Sequence, residues 1–175
     1  MKTETSSRLA CGPDIGDLVP GDPFFELAKE LNSLIASRAY ELFESGGFVQ
    51  GRDREDWLSA KTEILLTAPV DVMETETALA VRADVPGFGA KDLEVRVAAT
   101  SLCITGTRPE ASDLKEAKTV YSERRPQNIF RVLDLPCEID PNTVNATISN
   151  GLLELRLLKV GLGKKVPVLT KAAAA

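Results

Sequence analysis

Val144, Ala146 and Ile148 lie two residues apart, as do Leu153, Leu155 and Leu157, and Asn150-Gly151 joins the two runs. Thr147, Glu154 and Arg156 fall on the alternate positions, so each run has one apolar and one polar face, the pattern of a half-buried strand. Asn-Gly suits a two-residue type I′ turn, in which both central residues need φ > 0; glycine reaches that region without strain and asparagine tolerates it. These residues therefore specify an antiparallel hairpin.

The same period of two begins at Pro69. Val70-Asp71-Val72, then Leu79, Val81, Ala83 and Val85, then Leu93, Val95 and Val97, then Leu102 and Ile104, then Ile129, Leu133 and Leu135 each mark a strand. Val85-Pro86-Gly87, Thr105-Gly106, Leu135-Pro136 and Asp140-Pro141-Asn142 punctuate them as turns. Many short strands with no helix between them predict an all-β, antiparallel, immunoglobulin-like sandwich. Residues 108–128 are the exception, a charged insertion too long for a simple hairpin, in which Thr119-Val120-Tyr121 has the composition of an edge strand.

Upstream of Pro69 the period is helical. After Asp22-Pro23, an N-cap followed by proline at the first helical position, Phe24, Leu27, Ala28, Leu31, Leu34, Ile35, Ala39, Leu42 and Phe43 define one apolar stripe that ends near Ser45-Gly46-Gly47. Polar residues 50–56 lead to Trp57, Leu58 and a second short helix over 60–66. Before Asp22 the mixture of Gly, Pro and acids has no period and is expected to be disordered. The expected organisation is an N-terminal arm over 1–67, a sandwich over 68–159 and a flexible C-terminal extension over 160–175.

Composition removes several classes of function. The 175 residues contain no histidine, so Ser-His and Cys-His nucleophile pairs and histidine metal sites are absent. Cys11, Cys103 and Cys137 are odd in number and widely spaced; reduced, structural thiols are expected, with neither a disulfide framework nor a metal site. Asp84 and Glu94 could meet across strands as a carboxylate pair, but charge on the polar faces of strands is usually solvated. Gly161-Leu162-Gly163-Lys164-Lys165 fails as a phosphate loop, because Leu158 stands where the first glycine belongs and Lys165 where a Ser or Thr must bind Mg²⁺. It reads as a linker. The net charge is −5 and no basic patch stands out, which argues against nucleic acid as a partner. No apolar run approaches the roughly 20 residues that cross a bilayer. Residues 1–7 are polar and no signal-like apolar stretch follows, so a cytoplasmic location without a membrane is expected. No cofactor and no enzymatic activity are expected.

Several of these segments also carry a resemblance. Asp84-Val85-Pro86-Gly87-Phe88, the run from Leu93 to Val97, Leu102-Cys103-Ile104-Thr105-Gly106, Glu123-Arg124, Phe130-Arg131, Leu135-Pro136 and the sequence from Ala146 to Leu153 succeed one another as in the α-crystallin domain of small heat-shock proteins. Gln127 and Ile129 stand where that family usually has Gly and Phe, with Phe130 displaced by one position. Val166-Pro167-Val168 resembles the short I/V-x-I/V motif of the family's C-terminal extension.

The resemblance implies an ATP-independent holdase, built from dimers into a homo-oligomer, that traps unfolded clients. Client binding is expected on the arm, through Phe24, Phe25, Leu31, Leu34, Ile35, Phe43 and Trp57, because these apolar side chains stand on an acidic background that would keep a loaded complex dispersed. Val166, Pro167 and Val168 would link dimers by entering a groove between Leu93, Val95, Val97 and Val144, Ala146, Ile148. Val120, Tyr121 and Arg131 would form the dimer interface; Arg131 shares strand parity with Ile129 and Leu133 and would pair with a carboxylate across it, or else sit at a sheet edge in water. The arm's apolar face is buried either by self-association or by packing on the sandwich as core, and the resemblance favours self-association. A sandwich adaptor of co-chaperone type that binds one folded partner is the other function the pattern allows.

Overall fold

The structure, a computed structural model, describes residues 14–109 and 127–161. Two helices, α1 (Phe25–Ser45) and α2 (Asp53–Ile64), precede seven strands: β1 (Val70–Glu74), β2 (Ala78–Asp84), β3 (Leu93–Val97), β4 (Ser101–Arg108), β5 (Gln127–Asp134), β6 (Asn145–Ser149) and β7 (Leu152–Leu158). The strands form two antiparallel sheets, one ordered β1-β2-β7-β6 and the other β3-β4-β5. Asn150 and Gly151 join β6 to β7 with φ of 50° and 75°, so both central residues are left-handed as the Asn-Gly turn requires. The expected sandwich is thus present.

Between the sheets lie Leu79, Val81 and Ala83 of β2, Leu102 and Ile104 of β4, Ile129 and Leu133 of β5, and Leu153, Leu155 and Leu157 of β7. Two glycines shape this core. At Gly87 the chain turns with φ +81°, and Phe88 then folds back so that its amide donates to the Val85 carbonyl at 3.2 Å. Its ring lies over Gly106, where an added Cβ would stand 3.1 Å from Phe88 Cε1 and 2.8 Å from Leu93 Cδ2. Gly106 is therefore the socket for a buried aromatic, and Arg108 covers the other side of that ring with its guanidinium carbon 5.5 Å from the centroid.

A second core cluster lies on the outer face of β3-β4-β5. Cys103, Val132 and half-buried Phe130 meet Ile15, Leu18, Phe24, Ala28, Ile35 and Ala60 there. The molecule consequently has three layers, helices on sheet on sheet. Packing of the arm on the sandwich, the alternative that the resemblance disfavoured, is what the structure shows. The physical reason lies in the sheet: alternate residues of β4 and β5 on its outer face are apolar and need cover.

Three local expectations are corrected. Residues 14–21 are not an aperiodic tail, because Ile15 and Leu18 are buried against the helices. Asp22 does not cap α1; its carboxylate accepts from the Val19 amide at 2.7 Å, and the helix starts at Phe25 with no side-chain cap. Helix α2 begins at Asp53 rather than near residue 60, its first turn carrying Asp53, Glu55 and Asp56, which suit the positive end of the helix dipole. The end of α1 is as read: Gly47 (φ +82°) donates to the Glu44 carbonyl and Phe48 to that of Phe43, a Schellman closure that turns the chain back toward α2.

Gly106→Val should cost about 1–3 kcal/mol in chemical denaturation, because the branched side chain must displace the Phe88 ring from a filled core. Cys103 is fully buried and burial pushes its thiol up to about 12. In a Cys11→Ser background, Cys137 should react with a thiol reagent in the folded protein while Cys103 stays inert. Because the Cys103 pKa is raised on folding, its contribution is intact below the unfolded value near 9 and is lost as pH climbs toward 12; Cys103→Ala should flatten that alkaline loss of stability.

Candidate interaction surfaces

The two flanks of the sandwich differ. Residues 65–68 run from α2 past the edge of β5, where the Leu66 amide donates to the Asn128 carbonyl at 2.8 Å, and then into β1. That segment closes the β5/β1 flank. The other flank is bounded by β3 and β6, each the terminal strand of its sheet. Leu93, Val95 and Val97 register with Gly106, Ile104 and Leu102, while Ala146 and Ile148 register with Leu155 and Leu153. Both rows thus point into the space between the sheets. Leu93, Val95, Val97, Val144 and Ile148 are half-buried against the core and Ala146 is exposed. The structure brings all six predicted groove residues to one flank, which no other described strand covers. Val166, Pro167 and Val168, expected to fill it, lie outside the described residues.

Arg131 sits on β5 opposite Ile104, between the inward-facing Ile129 and Leu133. Its Nε is buried with no hydrogen-bond partner among the described residues. Beside it opens a cleft of about 570 Å³, lined also by Asp14, Lys61 and Thr67. Asp14 is already engaged, accepting from Lys61 Nζ at 2.7 Å. Burial draws the Asp14 carboxyl upward, but the hydrogen bonds from Lys61 and from the Ile15 amide outweigh it and leave its pKa below the ordinary value. Val120 and Tyr121, the other two residues expected at a dimer interface, lie outside the described residues.

The residues expected to bind clients are mostly occupied. Phe24 and Ile35 are buried, Phe25, Leu31 and Trp57 are half-buried against the second core cluster, Phe43 is half-buried, and Leu34 is 53% exposed. The helices hold the outer face of β3-β4-β5 chiefly by side-chain packing. At their C-terminal end, the polar ties go to Asn128, from the Leu66 amide and from Asn128 Nδ2 to the Ile64 carbonyl at 3.5 Å. Asn128, at 9% exposure, also accepts from Thr107 Oγ1 at 3.1 Å. Sequence reading gave Asn128, Ile15 and Leu18 no role. The available signal was adjacency: Leu102-Cys103-Ile104 and Val132-Leu133 place apolar residues on both faces of a strand.

Asp84 and Glu94 do not meet. They lie on different sheets, and Glu94 accepts from Arg96 Nε at 2.7 Å. Among the described residues no group of three or more Cys, Asp or Glu side chains could hold a metal ion, and no helix is long and apolar enough to cross a membrane.

Residues 71–168 match the Hsp20/alpha crystallin family, and residues 30–65 separately match a family described as a protein of unknown function, DUF2934. The chain is 29% identical over 106 residues to small heat shock protein C2 of Rickettsia felis, covering 61% of this chain and 69% of that protein. It is 34% identical over 94 residues to a chloroplastic heat shock 22 kDa protein of Chlamydomonas reinhardtii, covering 53% and 60%. Among solved structures, heat shock protein 16.0 from Schizosaccharomyces pombe superimposes with a TM-score of 0.46 at 28% identity, over 63% of this chain and 99% of that one. The match over more than half of its length, on the strands that build the sandwich, makes this chain a member of the Hsp20/alpha crystallin family of small heat-shock proteins, a membership that supports a chaperone role.

Proposed function

We propose that the protein is an ATP-independent, non-enzymatic holdase of the cytoplasm that binds unfolded chains and works as a homo-oligomer of dimers. The observation that carries the reading is the helical cover: two apolar surfaces, the inner side of α1 and α2 and the outer side of β3-β4-β5, are closed on each other largely by side-chain packing. Lifting that cover bares Phe24, Leu31 and Ile35 together with Phe130 and Val132. Each offers an unfolded chain about 25 cal/mol per Å² of apolar contact. Nothing in that exchange needs nucleotide, because heat shifts the balance between covered and open forms and the client competes with the sheet for the same faces.

Assembly draws on the open flank. Val166-Pro167-Val168 of one subunit would enter between β3 and β6 of a neighbouring dimer, proline holding the tripeptide extended so that both valines face the strands. Burying two valines is worth roughly 3–6 kcal/mol before the cost of ordering the segment, enough to hold many subunits together while letting each exchange. Arg131, its Nε buried beside the β5 cleft, would meet a carboxylate of the partner subunit, with Val120 and Tyr121 supplying the exchanged strand.

In light scattering, a heated model client should remain dispersed with this protein and no ATP, and should aggregate without it. Scattering that is unaffected at equimolar protein overturns the reading. Replacing Val166 and Val168 together by Ala should reduce the assembly to dimers in sedimentation, and Ile148→Glu on the flank should do the same, both without loss of the sandwich's strand signal in circular dichroism.

A further inference from the structure

We infer that the tip of the helical hairpin is a binding site for a lysine or arginine side chain carried on an extended, partly apolar peptide segment of a client. The inference rests on the holdase reading and names the class of segment preferred.

The last turns of α1 bring Tyr40 and Phe43 beside Trp57 and the first turn of α2, and these residues line a cleft of about 330 Å³ with Asp53 and Asp56 at its rim. Aromatic residues are scarce in this chain, nine in all, and four of them, Tyr40, Phe43, Phe48 and Trp57, stand at this tip. Three of them are connected through their rings, Tyr40 and Phe43 with centroids 6.2 Å apart and Phe43 and Phe48 edge to face at 5.3 Å, and Trp57 shares the cleft with Tyr40 and Phe43. Helix packing alone does not account for them, because Tyr40 and Phe48 remain 58% and 57% exposed.

The carboxylates are available. Among the described residues, neither Asp53 nor Asp56 has an ion-pair partner; Arg52 is held by Glu55 at 3.0 Å and Arg38 by Glu41 and Glu63 at 2.7 Å each, while Arg54 is exposed and pairs with neither aspartate. The helix dipole explains acids in a first turn; it does not explain three aromatic faces left beside them. Aromatic faces with carboxylates at one end suit an ammonium or guanidinium group, whose charge sits over the rings and near the carboxylates while its aliphatic stem covers apolar surface. The surroundings agree in sign: residues 22–67 carry nine acidic and five basic side chains, a net −4 of the chain's −5. The cleft also lies wholly inside the segment matching the second family and outside the segment matching Hsp20/alpha crystallin, so its chemistry belongs to the hairpin as a unit.

Trp57 is the only tryptophan, so its emission reports on the cleft directly. The full chain is titrated with a capped hexapeptide alternating Leu or Val with Lys, and with its counterpart carrying Glu in place of every Lys. A saturable change in Trp57 emission with the Lys peptide alone, weakened by about 0.5 M salt, is expected. Asp53→Asn with Asp56→Asn should weaken that binding roughly tenfold while the protein stays folded at the titration temperature, its melt lowered only by the lost helix-dipole contribution, which Glu55 still partly supplies. An equal response to both peptides, or an unaltered affinity in the double variant, overturns the inference. So does a shift in Trp57 emission on removing residues 162–175, which would make this chain's own lysine-bearing segment the occupant. Binding of the Lys peptide without suppression of client aggregation would sink the holdase reading and leave the cationic site standing; suppression without peptide binding would do the reverse.

Discussion

The sheet β3-β4-β5 is apolar on both faces, and the rest of the molecule is arranged to keep both dry. Leu102, Cys103 and Ile104 follow one another along β4 at 0% exposure, which a strand permits only when each of its faces is covered. Leu102 and Ile104 close against β2 and β7, and Cys103 closes against the helices. A two-layer sandwich would leave Cys103, Phe130 and Val132 in water. The helical hairpin is therefore a structural layer, and the position of α1, the burial of Ile15 and Leu18 and the tie from Asn128 to the end of α2 all follow from it.

The stack stops at the other sheet because its outer face is polar. Arg82 meets Glu154 at 2.8 Å and Lys159 meets Glu74 at 2.6 Å across that surface, with Arg82, Glu154 and Glu74 about half exposed; such pairs keep a face solvated and add little to stability. Residues 65–68 shut one flank, and among the described residues no strand covers the β3/β6 flank. Among the described residues, the flank and the hairpin tip each group several apolar side chains at the surface, whereas Val19, Met73 and Leu158 are exposed singly. Those two places lie on separately matched segments, 71–168 and 30–65, so the proposed assembly and recognition surfaces would be separable in the chain.

The strands were legible because alternation is a strong signal where one face is wet. All seven stand where the period of two places them, and the Asn150-Gly151 turn adopts the backbone that its residues require. The facing of five flank residues was equally legible, since parity alone aims Leu93, Val95, Val97, Ala146 and Ile148 at the same interior. What alternation hides is the second face. Reading every other residue of Leu102-Cys103-Ile104 and Ile129-Phe130-Arg131-Val132-Leu133 discards Cys103, Phe130 and Val132, and with them the reason for a third layer. The start of α2 was missed for a different reason: Asp53, Glu55 and Asp56 are poor in apolar period yet favourable at a helix N-terminus, where the dipole rather than packing sets the preference. Asn128 gave no signal at all, because its role depends on the end of α2, which lies 64 residues away.

In the proposed holdase, cover and capture would use the same residues, and that would set the energetics of its activity. Phe24 and Ile35 could not contact a client while buried in one cluster with Cys103 and Val132, so the affinity a client would see is scaled down to the fraction of molecules in which the hairpin is lifted. Strengthening the cover protects the sheet but raises that penalty; weakening it lowers the penalty and leaves β3-β4-β5 bare. A surface that clients can reach without lifting the hairpin escapes this trade, and the tip beyond Ala39, with Tyr40 and Phe48 already in solvent, is such a surface. First contact at the tip would convert later displacement of the hairpin into an intramolecular competition, in which a tethered segment opposes the sheet at high effective concentration rather than from bulk solution.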